Sequence, residues 1–219
     1  MPGLAYLVVA RRTSGEPHLS RPAGAPDVLV VLAHPDPASL NASLARAALA
    51  AAQEQGARTV VHDLYADGFD PRLQAGEIGT ATFADELCAA YARDLQAADM
   101  LVLVHPVWFF HVPAVMKGWV DRVVREDVAF ELDERGGVSG LLKAKAALVL
   151  TTGNSSPEVE RAAFADPVTR FWRDVVLGPA GVNRVERLGF SPVRDSDQQR
   201  REGWLASAAA AVRRDLGSL

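Results

Sequence analysis

From Asp27 onward, short apolar runs alternate with longer stretches of helical spacing. Val28–Ala33 (VLVVLA) is continuously apolar and β-branched, the pattern of a strand buried on both faces. Ser39–Gln55 puts Leu40, Leu44, Ala48 and Ala51 on one helical face, with Ser39 placed to cap its start and Gly56 to end it. Arg58–Asp63 reads as a second strand, Phe83–Ala97 as a second helix and Asp99–Val104 as a third strand. A third helix covers Pro113–Arg125, with Pro113 suited to its first turn. Ala144–Leu150 is a fourth strand, Pro157–Val176 a single helix, Asn183–Phe190 a more polar edge strand and Gln198–Leu216 the last helix. Long connections run from Leu64 to about Thr82 and over Glu126–Leu142. Residues 1–26 sustain no period and hold four prolines and three glycines. They read as a loose N-terminal extension with one short strand at Leu4–Ala10, ahead of one domain over residues 27–219.

Five strands alternating with five helices predict an α/β fold of parallel βαβ units with right-handed crossovers. In such sheets a ligand lies beyond the carboxyl ends of the strands, where the strand order reverses. The loops after the first, third and fourth strands are therefore the candidate site.

Composition narrows the class. The 219 residues are 49% apolar and 23% charged, a normal globular balance. Net charge is −4 with a pI near 5.7, which argues against a nucleic-acid partner. The single cysteine, Cys88, excludes an internal disulfide and suits a reducing compartment. No apolar run approaches the roughly 18 residues of a membrane span, and Leu4–Ala10 has its arginines on the wrong side for a secretory signal, so a cytoplasmic location is expected. The five histidines are scattered and show no metal-ligand spacing, so no metal is expected.

The first loop runs His34-Pro35-Asp36-Pro37-Ala38-Ser39-Leu40-Asn41 into a helix start, where unpaired N–H groups and partial positive charge suit a phosphate. His34, Ser39 and Asn41 add side-chain donors there. Walker A and Gly-x-Gly-x-x-Gly patterns are both absent. A solvated connection with Ser39 as a simple cap is the bland alternative. The second loop, His105-Pro106-Val107-Trp108-Phe109-Phe110-His111-Val112-Pro113, carries three successive aromatics that cannot all point inward, so some line a cleft or interface. At this sheet edge they suggest a stacking platform for a flat cofactor. The third loop, Thr151-Thr152-Gly153-Asn154-Ser155-Ser156-Pro157, offers small hydrogen-bonding groups and a glycine open to close approach, although turn chemistry alone would also explain it.

These segments, in order, resemble the NAD(P)H:quinone oxidoreductase family of flavodoxin-like flavoproteins. The likeness rests on Val30–Pro35, Ser39-Leu40-Asn41, Asp63-Leu64-Tyr65, Phe69-Asp70-Pro71, Ala98-Asp99, His105–Phe109, Val112-Pro113-Ala114, Lys117–Arg122, Ala129-Phe130, Leu141-Leu142 and Thr151-Thr152-Gly153. It implies a flavodoxin-like three-layer sandwich with a five-stranded parallel sheet of order 2-1-3-4-5, a tightly bound flavin and a homodimer. It places flavin phosphates on His34, Ser39, Leu40 and Asn41. The ring then lies against Pro106, Val107, Trp108, Phe109 and Phe110, with Thr151, Thr152, Gly153 and Asn154 at its polar edge. Backbone N–H groups near Thr152–Gly153 are expected to stabilise negative charge on the reduced ring. Two departures stand out: Asn154 replaces a usual second glycine, and no Tyr or His follows it. His111 is either a substitute proton donor or a pocket wall, with the wall favoured. Trp119 is expected in the core or a dimer interface, and Asp121 and Arg122 in surface or helix-end pairs.

The expected function is two-electron transfer from NAD(P)H through bound flavin, FAD rather than FMN, to a quinone-like acceptor by a ping-pong sequence. Two rivals remain at this level. One is an ancillary regulatory subunit of a potassium-efflux system. The other is a flavin-free α/β protein that binds a phosphorylated metabolite.

Overall fold

The computed structural model describes residues 24–80 and 82–219. The strand expected at Leu4–Ala10 and most of the N-terminal extension lie outside them. In chain order the main elements are β1 (Asp27–Leu32), α1 (Leu40–Glu54), β2 (Arg58–Asp63), α2 (Glu86–Ala97), β3 (Met100–Pro106) and α3 (Ala114–Val123). There follow β4 (Phe130–Leu132), β5 (Val138–Gly140), β6 (Ala146–Thr152), α4 (Pro157–Phe164), α5 (Pro167–Arg170), β7 (Arg184–Phe190) and α6 (Gln198–Leu216). The main sheet has five parallel strands in the order β2-β1-β3-β6-β7. Counting only those strands, this is the expected 2-1-3-4-5.

Both sheet faces are covered, which is why the central strands are apolar throughout. Val28, Val30, Leu32, Val102, Val104, Leu148 and Leu150 face α1 and α6. The alternate residues Leu29, Val31, Leu101, Leu103, Ala147 and Val149 face α2, α3 and the segment holding Trp172 and Leu177. Trp119 is fully buried in this second layer.

Four departures from the sequence expectation have local causes. The helix expected over residues 157–176 is broken: Ala165 and Asp166 take positive φ angles of 55° and 50°, and Pro167 follows. A residue before proline avoids the α region, and Asp166 instead caps α5 by accepting from the Thr169 N–H. Past α5 the chain continues as a π-helical segment, Phe171–Leu177. The connection 126–142 hides the β4–β5 hairpin, whose three-residue strands are too short to show a period. α2 starts three residues later than expected because Asp85 is its cap. Finally, β3 and β6 each run two residues past their expected ends, so His105, Pro106, Thr151 and Thr152 sit on strands, not loops.

Arg122 is a further correction. Asp121 does pair at the surface, with Lys117, but Arg122 is only 1% exposed. Its guanidinium donates twice to Glu77, at 3.0 and 2.8 Å, and also to Asp85 and to the Asp70 carbonyl. The Arg122 pair holds the Glu77 carboxyl down to about 2. The long connection after β2 is thereby clamped onto α3. Contact is close enough that a Cβ on Gly118 would lie 2.3 Å from the Pro71 Cβ.

Candidate functional site

β1 and β3 are neighbours from which the sheet grows outward on opposite sides, so their carboxyl ends mark its reversal point. Their last rung is Ala33 N–H to the Val104 carbonyl, 2.9 Å. In a regular parallel ladder the next two rungs would use the N–H of residue 106 and then that of residue 35. Both are prolines and have none. The two strands therefore part at this point, and a gap opens between the loops that follow them.

The Pro106 carbonyl, left without a ladder donor, is bonded by His105 Nδ1 at 2.9 Å. Trp172 Nε1 donates to His105 Nε2 at 2.9 Å. Indole N–H can only donate, so the imidazole proton is assigned to Nδ1. Both side chains are fully buried. Burial pushes the His105 pKa down to about 4, which keeps the ring neutral.

On one side of the gap, Ser39 caps α1 by accepting from the Ala42 N–H at 3.1 Å. His34 Nδ1 accepts from the Asp36 N–H at 3.0 Å, which leaves Nε2 as the donor. Leu40 and Asn41 open the helix, where first-turn N–H groups have no helical partner. Asn41 is 2% exposed, and its Oδ1 accepts from Thr152 Oγ1 at 2.7 Å. Its Nδ2 is buried without a partner. A buried donor left unpaired in a helix's first turn fits an acceptor oxygen from a bound group, such as a phosphate.

On the other side, Val107 N–H joins the Thr152 carbonyl at 2.7 Å, and Trp108 and His111 exchange backbone bonds of 3.1 and 3.0 Å. Between them Phe109 and Phe110 both have positive φ, 49° and 58°, the signature of a type I′ turn usually made by Gly or Asn. Phe109 is fully exposed and Trp108 half-exposed. The Trp108 ring lies 6.4 Å from His34 across the gap. Phe110 rests on Phe164 at 4.2 Å, and His111 meets Phe171 edge-on at 4.9 Å. The three aromatics thus point in different directions, with Trp108 toward the His34–Asn41 loop and Phe110 toward α4.

At the end of β6, Thr151 Oγ1 accepts from Arg187 at 3.0 Å and the Asn154 Oδ1 accepts from the Arg194 N–H at 2.9 Å. The Gly153 N–H is bonded to the Phe190 carbonyl at 3.1 Å. This corrects the expectation of a free donor there, because β7 extends its ladder one rung past Thr152. Gly153 has another use. A Cβ at this position would meet only Val107, at 3.8 Å, and its φ is not in the left-handed region. Nothing within the chain demands glycine, so the open space admits close approach of a bound group.

Sequence reasoning missed two contributors. A cleft of about 360 Å³ beside the His34–Asn41 loop is lined by Ala38, Leu40, Ser43, Gln198, Arg201, Glu202 and Leu205. It needs α1 and α6 side by side, which no local pattern reveals. Arg187, on β7, joins Thr151 to Glu160 and Asp166. Another groove, about 230 Å³, lies at the opposite sheet edge around Asp27, Arg58 and Arg93, away from all three loops. Among the described residues no group of three or more His, Cys, Asp or Glu could hold a metal, and no helix is long and apolar enough to cross a membrane.

The parallel sheet, its order and the gap at the reversal point define a flavodoxin-like α/β protein. A flavodoxin-like fold family matches residues 26–215. The chain is 33% identical over 205 residues to ribosyldihydronicotinamide dehydrogenase (quinone) of Rattus norvegicus, covering 80% of this chain and 85% of that protein. Its mouse counterpart is 36% identical over 149 residues, 59% of this chain and 64% of the mouse protein, so this match spans less than two thirds of that relative. Among solved structures, NAD(P)H:quinone oxidoreductase from Methanothermobacter marburgensis superposes with a TM-score of 0.74 at 25% identity, over 86% of this chain and 95% of that one. The chain belongs to the flavodoxin-like fold family and, within it, to the NAD(P)H:quinone oxidoreductase group.

Proposed function

We propose that this protein is a flavin-dependent NAD(P)H oxidoreductase that passes two electrons to a quinone-like acceptor. The observation that carries the reading is the unpaired Asn41 Nδ2, buried at the start of α1 beside the gap. It is supported by the quinone-reductase names of the relatives. When bound, a flavin supplies hydride acceptance and release. The chain's own residues bind and orient: Asn41 and the first turn of α1 hold the phosphate, with His34 Nε2 as a further donor. Pro106, Val107 and Trp108 would form the ring's platform, since Phe109 points to solvent and Phe110 packs on Phe164. Gly153 would let the ring approach β6, and Trp108, 6.4 Å from His34, would narrow the gap. The cleft between α1 and α6 leaves room for an adenosine half beside the phosphate loop, which favours FAD over FMN. One open face used in turn by both substrates gives ping-pong kinetics.

The exposed apolar rings of Trp108, Phe109 and Phe164 support a homodimer that covers them, and the lone buried Cys88 supports a cytoplasmic location.

Mass spectrometry of released cofactor, with steady-state oxidation of NADH and NADPH against a soluble quinone, tests the reading. Bound FAD and parallel double-reciprocal lines are expected. Failure to bind either flavin at saturation would leave the phosphometabolite-binding reading. A flavin-loaded protein that does not oxidise NAD(P)H would favour the ancillary-subunit reading.

A further inference from the structure

We infer that His105, fixed by Trp172, is the positioning residue that keeps the gap between β1 and β3 open and the aromatic loop in its place. The gap exists because Pro35 and Pro106 remove two consecutive ladder donors, and that leaves the buried Pro106 carbonyl without its normal partner. A carbonyl in that state turns toward any donor it can reach. The Val107 N–H holds one edge of the Pro106–Val107 peptide on the Thr152 carbonyl at 2.7 Å, and without a second bond the peptide would tilt about that one and carry Trp108 with it. His105 supplies the donor from behind, through Nδ1 at 2.9 Å. Trp172 makes the arrangement one-directional, because its indole N–H occupies Nε2 and holds the proton on Nδ1. Trp172 sits in the π-helical segment, whose first residue, Phe171, braces His111 at the far end of the same loop. π-Helical turns place adjacent side chains in ways an α-helix does not, and here two successive residues grip both ends of one loop. His105 touches no ligand, since it is fully buried beneath the loop.

Two substitutions separate this role from simple core packing. His105→Asn carries an amide N–H near the position of Nδ1, so the Pro106 carbonyl keeps its donor. His105→Gln carries an amide oxygen near the position of Nε2, so Trp172 keeps its acceptor while Pro106 loses its donor. Amide hydrogen exchange over residues 107–112 is expected to speed up about tenfold in His105→Gln and to stay near the original in His105→Asn. FAD affinity, read by fluorescence titration, is expected to follow the same order, about tenfold weaker for Gln. Equal exchange in the two variants overturns the inference, whatever their melting temperatures. In the unaltered protein, long-range proton–nitrogen NMR must show His105 protonated on Nδ1; a proton on Nε2 overturns it even if neither variant folds. The FAD comparison rests on the proposed function. Exchange and tautomer are read without flavin, so a protein that binds none refutes that function and leaves these two measurements to decide the role of His105.

Discussion

Asn41 carries the sharpest consequence at the scale of single residues. Asn41→Asp keeps an acceptor for the Thr152 hydroxyl but replaces the unpaired Nδ2 donor with a carboxylate oxygen. If a phosphate is the missing partner, a charge-supported hydrogen bond becomes a repulsion. Flavin affinity is then expected to fall by about 2–4 kcal/mol, measured by titration against Asn41→Ala, which loses the bond without adding charge. Equal losses for the two variants would move the phosphate elsewhere. The residue types at this site were legible in the sequence, because a helix start following a strand is a local pattern. Their pairings were not. That Asn41 reaches Thr152, or that Gly153 gives its N–H to Phe190, depends on strands far apart in the chain.

Among the elements, the aromatic turn and the clamped connection have opposite balances. Phe109 adopts a left-handed backbone at φ 49° while its side chain buries nothing within the chain. Phe109→Asn therefore relieves up to roughly 1 kcal/mol of strain, and the monomeric chain is expected to melt about 2–4 °C higher. Its acceptor Michaelis constant should rise at the same time, because the ring is held out for contact with something other than the core. A lower melting temperature would give Phe109 a packing role, which for so exposed a ring means the homodimer interface. Arg122 behaves in the other sense. Arg122→Met leaves the buried Glu77 carboxylate with only the N–H groups of Gln74 and Ala84 as donors. A loss of about 3–5 kcal/mol is expected in denaturant unfolding. Helical spacing could not distinguish Arg122 from its exposed neighbour Asp121, since the burial of α3 comes from a loop that crosses it. The broken helix after Pro157 was readable in principle: Asp166-Pro167 is a boundary signal inside an otherwise helical pattern.

For the whole molecule, buried histidines set the acid limit. His105 has a native pKa of about 4 against an ordinary value near 6.5, and burial also lowers that of His62. Between those values the unfolded chain binds protons that the native state refuses. Stability therefore rises with pH through this window, and it is lost as pH falls from about 6.5 toward 4, by up to about 3 kcal/mol for His105. Glu77 acts lower down. Its depressed pKa contributes stability that is full above about 4.5 and is lost as pH falls toward 2. Melting temperatures across pH 4–7 should thus decline less steeply in His105→Asn than in the unaltered protein. Identical slopes would show that His105 does not titrate as its burial requires. The sheet that buries these groups was the most legible feature of the sequence, since continuous apolar runs bounded by helices leave few alternatives. The two prolines were equally visible, each following a histidine at the end of an apolar run. Their joint meaning needed the adjacency of β1 and β3.

That adjacency bears on directed evolution of this chain. Pro35→Ala restores an N–H opposite the Pro106 carbonyl, which His105 already bonds, so the new rung contributes at most about 1 kcal/mol. Removing the proline loosens the unfolded chain and costs about 0.4–1 kcal/mol. Thermodynamic selection is therefore almost indifferent to this position, and a library screened on heat resistance would let it drift. Each such drift would add a rung between the strand ends, detectable as slower amide exchange at residue 35 and weaker flavin binding than in the parent. Unchanged binding in a variant that forms the rung would show the gap to be wider than its occupant needs. Screens on this scaffold should score ligand retention alongside melting, because melting alone cannot see the seam close.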